Sequence, residues 1–168
     1  ASPAMMMTIL DQESTFHPMA GGNQWDDHGI AQFQVGTAES THRYLKQVAA
    51  NKSPMHDVIN RGLKWVPPGC ESTRTPWKSN LSKACLDSIK RNCEVNGKLV
   101  ASLYCPQYAL RLQAYHLKQI CETEVTDKDG INLTEQLRGN GDLASETRFV
   151  LSRYNRGYRI YNSALHYK

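Results

Sequence analysis

Five cysteines constrain this chain more than any other feature. All of them fall between positions 70 and 121: Cys70, Cys85, Cys93, Cys105 and Cys121. No two are spaced Cys-x-x-Cys, so a zinc ribbon or a thioredoxin-type redox pair is unsupported. Their density is high for a reducing compartment. We read two disulfides and one free thiol in an oxidising, extracytoplasmic setting, periplasmic or secreted. Spacing alone does not decide connectivity. The expected pairing joins Cys85 to Cys93 across a short loop and Cys70 to Cys105 across a longer one, which would staple the middle of the chain as a unit.

At 168 residues the chain fits one domain with a core of ordinary size, residues 1–168. Apolar residues make up 40% and charged residues 21%, so neither disorder nor a membrane protein is indicated. The net charge of +4 is far below that of a dedicated nucleic-acid binder, although it favours an anionic polymer as a neighbour. Arg148, Arg153, Arg156 and Arg159 read as a solvated helix face. No stretch approaches the ~20 apolar residues of a membrane span. The chain opens on a helix, with Ser2 as its N-cap and Pro3 at its first position, so a targeting segment is expected to have been removed.

Met6, Ile9 and Leu10 stand at helical spacing and predict a helix over 3–14. His17-Pro18, Gly21-Gly22 and Gly29 make 15–30 a loop. Further helices are expected over 30–50, 54–64, 81–93, 106–122, 143–156 and 158–168. Residues 65–80 read as irregular, and Asn96-Gly97 as a turn. No run reads as a convincing strand. The fold class is therefore mainly α, or α+β with little or no sheet.

The chemistry starts from Glu13. Cleaving a glycosidic bond needs a proton for the leaving oxygen, and a carboxylic acid holds that proton near neutral pH only in an apolar setting. Glu13 follows Ile9 and Leu10 by one turn and precedes Phe16. Beyond it come Ser14, then Gly29-Ile30-Ala31-Gln32, Thr37-Ala38 and, late in the chain, Tyr154-Asn155-Arg156-Gly157. This order and spacing resemble the soluble lytic transglycosylase and goose-type lysozyme superfamily over 5–50 and 105–165. The resemblance implies a lysozyme-like fold in which 65–104 is an insertion. It implies that Glu13 is the general acid between N-acetylmuramic acid and N-acetylglucosamine. Ser14 would orient the glycan or the acid, Gln32 would line the cleft, Tyr154 would hold the Glu13 carboxyl, and Asn155 would support the glycan-side wall. Ala31 stands where the family has Met, and Arg153 and Arg156 replace small residues.

A lytic transglycosylase needs one acid, whereas a hydrolase needs a second group to position water. Asp26, in the loop Gly22-Asn23-Gln24-Trp25-Asp26-Asp27-His28, resembles the second acid of goose-type lysozymes, and the family's further Asp after the Gln is missing here. The balance leans towards hydrolysis. Trp25 is the tryptophan placed to stack on a sugar. Asp11, Asp26, Asp27 and Glu39 make the surroundings acidic, which would favour N-deacetylated glycan. The expected partner is the peptidoglycan glycan strand and the expected state a monomer. A catalytically inactive wall-binding protein on the same fold is the rival reading. The six histidines show no ligand spacing and read as surface or packed, so neither metal nor cofactor is expected.

Overall fold

The computed structural model describes residues 3–21, 26–48, 57–72 and 80–122. Helix α1 spans Pro3–Ser14, as its spacing predicts, and buries Ile9, Leu10 and Ser14. A two-stranded antiparallel sheet follows, β1 (Asp27–His28) against β2 (Phe33–Gln34), with Asp27 opposite Gln34 and His28 opposite Phe33. Helix α2 (Val35–Val48) runs on directly from β2. The expected helix over 30–50 thus starts five residues late, because 30–34 are spent on a turn and a strand.

Residues 57–64 depart from the helix expected over 54–64. Val58–Asn60 form strand β3 instead. β-Branched Val58 and Ile59 suit a strand. The Asn60 side chain then accepts the Gly62 backbone N–H at 3.0 Å, which turns the chain. Helix α3 (Lys83–Asn92) lies inside its expected span. Ser82 caps it by accepting the Cys85 N–H, and Lys90 and Arg91 complement the dipole at its last turn. Strands β4 (Glu94–Val95) and β5 (Lys98–Ala101) form a hairpin across Asn96-Gly97, both with positive φ, 51° and 73°. That is the backbone a two-residue Asn-Gly hairpin turn requires. Strand β3 adds in parallel to the other edge of β5, giving the order β3-β5-β4. Helix α4 spans Pro106–Glu122 as expected. The architecture is mixed α+β, with four helices and two small sheets among the described residues, the α+β side of the expected class, although no single run had read as a convincing strand.

The chain divides into two compact units, Met6–Tyr115 on one side and Ala1–Met5 with His116–Lys168 on the other. The core of the first collects Leu10, Met19, Phe33, Val100, Leu103, Tyr108 and Leu112. Burying a large apolar side chain contributes about 1.5–3 kcal/mol. Residues 65–104 are part of this core, through Cys85, Ile89, Val100 and Leu103. In the second unit, Leu117 and Ile120 are buried on the last turns of α4.

Two disulfides are present, but their pairing differs from expectation: Cys70 joins Cys85 and Cys93 joins Cys105. Helix α3 explains the correction. Cys85 lies in its first turn and Cys93 caps its end, so the helix holds these two cysteines apart and each bonds outward. The two bonds fit an extracytoplasmic setting. No helix among the described residues is long and apolar enough to cross a membrane. The expected helices over 143–156 and 158–168 lie outside the described residues.

Candidate functional site

The end of α1 is shaped by backbone strain. Thr15 and Phe16 both have positive φ, 50° and 59°. The Thr15 N–H reaches the Asp11 carbonyl at 2.9 Å, the single bond of an αL helix ending, and the Phe16 N–H the Leu10 carbonyl at 3.5 Å. Glycine is usual where Thr15 stands; a β-carbon in the left-handed region costs about 1–2 kcal/mol. The strained ending fixes where the helix stops, one residue after Glu13. Strain of this kind clusters at functional sites. Phe16, just past the end, is partly exposed.

Ser14 is fully buried. Its hydroxyl lies 2.6 Å from the Ile30 carbonyl and 3.2 Å from that of Leu10. A hydroxyl carries one hydrogen, so the shorter contact to Ile30 is the principal bond. Ser14 therefore ties the helix end to the turn at 29–32. In that turn Gly29 and Gln32 have positive φ, 73° and 47°. The Gly29 N–H donates to the Ala20 carbonyl at 2.6 Å. The Gln32 amide nitrogen donates to the carbonyls of Gly29 at 2.8 Å and Ala20 at 3.2 Å. Both partners are acceptors, which fixes the orientation of the amide. The Gln32 nitrogen is thus occupied in holding the turn, a part that the expectation of a cleft-lining residue left out.

Burial pushes the Glu13 carboxyl above the ordinary glutamate range, and the negative charge of Asp27 pushes it further. The C-terminal end of α1 acts in the same sense, because its carbonyl dipoles disfavour a nearby anion. Glu13 therefore binds a proton more tightly than an ordinary glutamate, and Asp27 is the acid whose charge it feels. Asp26 sits differently. Its φ is 58°, and its exposed carboxylate binds Lys64 and the His28 Nε2, the latter at 2.9 Å. The Lys64 hydrogen bond holds the Asp26 carboxyl below the usual aspartate range; desolvation, the next largest influence, opposes it, and the hydrogen bond and charge of His28 add to the lowering.

The network continues inward. The buried His28 presents Nδ1 to the Tyr104 hydroxyl at 2.7 Å, with the two rings edge to face. Burial raises the Tyr104 phenol above its usual range, and a hydrogen bond from Ser72 partly offsets this. An ionised Asp26 accepts only, so His28 donates from Nε2. In its neutral form His28 then accepts the Tyr104 proton at Nδ1. The order is Ser72 to Tyr104 to His28 to Asp26, with Lys64 on the far side of the carboxylate.

The structure thus gathers Glu13, Ser14, Asp26 and Gln32 within the Met6–Tyr115 unit. Trp25, Tyr154 and Asn155 lie outside the described residues. Asp27, His28, Lys64 and Tyr104 are the additions. Adjacent Asp26 and Asp27 were visible as a pair, whereas nothing in the sequence joined His28 to Tyr104 across 76 positions. Among the described residues no group of three or more His, Cys, Asp or Glu is arranged to hold a metal. Comparison with protein-family models, curated proteins and solved structures returned no significant match.

Proposed function

We propose that the chain is a lysozyme-like muramidase that cleaves the β-1,4 bond between N-acetylmuramic acid and N-acetylglucosamine in peptidoglycan. One observation carries the reading: Glu13 ends a helix that Ser14 ties to the Gly29–Gln32 turn, in surroundings that raise its affinity for a proton. A general acid for glycoside cleavage requires that property. Glu13 protonates the leaving oxygen. Hydrolysis is the favoured outcome because a second carboxylate stands beside Glu13. The Asp26–Asp27 pair supplies it, with Asp26 anchored by Lys64 and His28 and the charge of Asp27 felt at Glu13. Ser14, Trp25, Gln32, Tyr154 and Asn155 are the residues proposed for glycan binding, on the strength of the sequence resemblance. The enzyme acts outside the cytoplasm as a monomer, and its acidic surroundings favour N-deacetylated glycan.

The alternative is a lytic transglycosylase with Glu13 as sole acid–base, which yields 1,6-anhydromuramic ends. Mass spectrometry of muropeptides released from purified sacculi, natural and N-deacetylated, separates these readings. Reducing ends carrying solvent oxygen are expected, lost in Glu13→Gln. Anhydro ends would establish the transglycosylase. Absence of release from both sacculi would leave a wall-binding protein.

A further inference from the structure

Lys64 and Tyr104 both reach the loop that carries Asp26, and they do so from one frame. The Leu63 carbonyl accepts the Leu103 N–H at 2.9 Å, and the Trp65 carbonyl accepts the Ser102 hydroxyl. Lys64 therefore stands between two residues that are tied to 102–103. The Tyr104 N–H donates to the Ser102 hydroxyl oxygen at 3.1 Å, and the Cys105 N–H to the Ser102 carbonyl at 3.1 Å. Cys105 is in turn bonded to Cys93 at the end of α3. The bases of the two arms are thus joined to each other through backbone groups and Ser102, independently of the loop they hold.

We propose that this frame fixes the Asp26 carboxylate in one orientation, with Tyr104 and His28 as positioning residues that act through it. The proposal rests on the muramidase reading, in which Asp26 belongs to the second acid. The arms close on separate oxygens. Lys64 donates to Oδ2, and the His28 Nε2 donates to Oδ1 at 2.9 Å. Donors on both oxygens fix the rotation of the carboxylate plane as well as its position. The His28 ring is itself held at Nδ1 by the Tyr104 hydroxyl at 2.7 Å. Along this arm Tyr104 donates to His28 and His28 to Asp26, because an ionised carboxylate only accepts. His28 and Tyr104 are both buried, so water does not readily replace a lost partner. The Lys64 side chain is 53% exposed and that of Asp26 60%, so the lysine arm is the weaker one and solvent reaches the acid. An ionised carboxylate offers about four lone-pair sites, and the arms occupy two. Each oxygen can therefore still accept a hydrogen from a water, which suits a fixed Asp26 to orient the water that a hydrolase needs.

Three variants of the full chain test this. Tyr104→Phe deletes the hydroxyl and keeps the ring. Gly21→Ala disturbs the same contact from outside, since a β-carbon there would stand 2.5 Å from the Tyr104 hydroxyl oxygen and 3.2 Å from the His28 Nδ1. Lys64→Met removes the exposed arm without touching the core. Tyr104→Phe and Gly21→Ala are each expected to lower the kcat of muropeptide release roughly tenfold to a hundredfold, through misplacement of Asp26, with a smaller change in KM. Lys64→Met should lower it at most about fivefold, the reach of an exposed ion pair. The carboxyl 13C resonance of Asp26 should move in all three variants. In the wild type, 15N NMR should place the proton of neutral His28 on Nε2. A Tyr104 that served packing alone would leave the Asp26 resonance in place.

A loss of kcat in Tyr104→Phe with the Asp26 resonance unmoved would overturn the proposal. So would a moved resonance with unchanged kcat, or a wild-type His28 proton on Nδ1. The NMR readouts need no activity. If the wild type releases nothing but Tyr104→Phe still moves the Asp26 resonance, the muramidase reading fails and the fixed carboxylate stands. If the wild type releases muropeptides and the resonance stays, the positioning role fails alone.

Discussion

Gly29 is the position where one added methyl group should do the most damage. A β-carbon there would overlap the Leu103 carbonyl oxygen and stand 2.7 Å from the carbonyl carbon, inside any real contact distance. Both obstacles are backbone, so no side chain can swing away. The φ of 73° adds about 1–2 kcal/mol for any residue with a β-carbon. Relieving the overlap means moving a backbone held by two bonds, from Gly29 to Ala20 at 2.6 Å and from Gln32 to Gly29 at 3.1 Å. Breaking one and leaving a buried group unsatisfied costs about 1–3 kcal/mol. The sum is roughly 2–5 kcal/mol, a large share of the roughly 5–15 kcal/mol that stabilises a whole domain. Two other glycines calibrate the result. Gly62 has a φ of 97° but open space around it, so Gly62→Ala should cost only the conformational part, about 1–2 kcal/mol. Gly36, in α2, has neither obstacle, and Gly36→Ala should gain about 0.4–1 kcal/mol. Urea unfolding followed by circular dichroism ranks the three against the wild type. A Gly29→Ala protein as stable as Gly62→Ala would refute the argument that Leu103 packs on this turn.

Three further outcomes follow from the acid and the crosslinks. Between the ordinary glutamate value of 4.5 and its raised native value, Glu13 binds its proton more tightly folded than unfolded, so its contribution to stability falls as pH rises through that window. Glu13→Gln should therefore be more stable than the wild type at neutral pH, with the advantage vanishing below about pH 4.5, and thermal melts across that range check the sign. Replacing Cys93 and Cys105 together by Ser opens a crosslink spanning a sequence separation of 12 and should cost about 3 kcal/mol on the chain-entropy account. Peptide mapping of the unreduced protein should recover Cys70–Cys85 and Cys93–Cys105, and a Cys85–Cys93 peptide would contradict the fold.

The helices were legible where an apolar stripe ran long enough to show its period. Pro3–Ser14 and Pro106–Glu122 emerge at their expected bounds, and α3 falls within one or two residues of its own. The strands were not legible because each is only two to four residues long, too short to display an alternation. Val58–Asn60 is the clearest case. Its neighbours in sequence suit a helix, and what makes it a strand is a partner 41 positions away, Leu99 opposite Val58. Disulfide pairing failed for a related reason. Choosing Cys85 with Cys93 weighed loop length, whereas the helix between them decides the geometry.

At the candidate site, the sequence pointed to the helix end and to the turn, because glycine, serine and a terminal carboxylate are local signals. It could not divide the work between Asp26 and Asp27. Two adjacent acids look equivalent on paper, yet the chain backbone sends them to different places. Asp26, in a left-handed conformation just before β1, faces Lys64 and His28. Asp27, the first residue of β1, acts on Glu13. Asp26 is held by long-range contacts: Lys64 lies 38 positions from it, and its other partner, His28, bonds Tyr104 76 positions away. The raised proton affinity of Glu13 is not a property of its helix alone: burial and the dipole at the helix end supply part of it, and the charge of Asp27 on the neighbouring loop adds to it. A glutamate in the same helix without Asp27 would keep part of its perturbation and lose the rest.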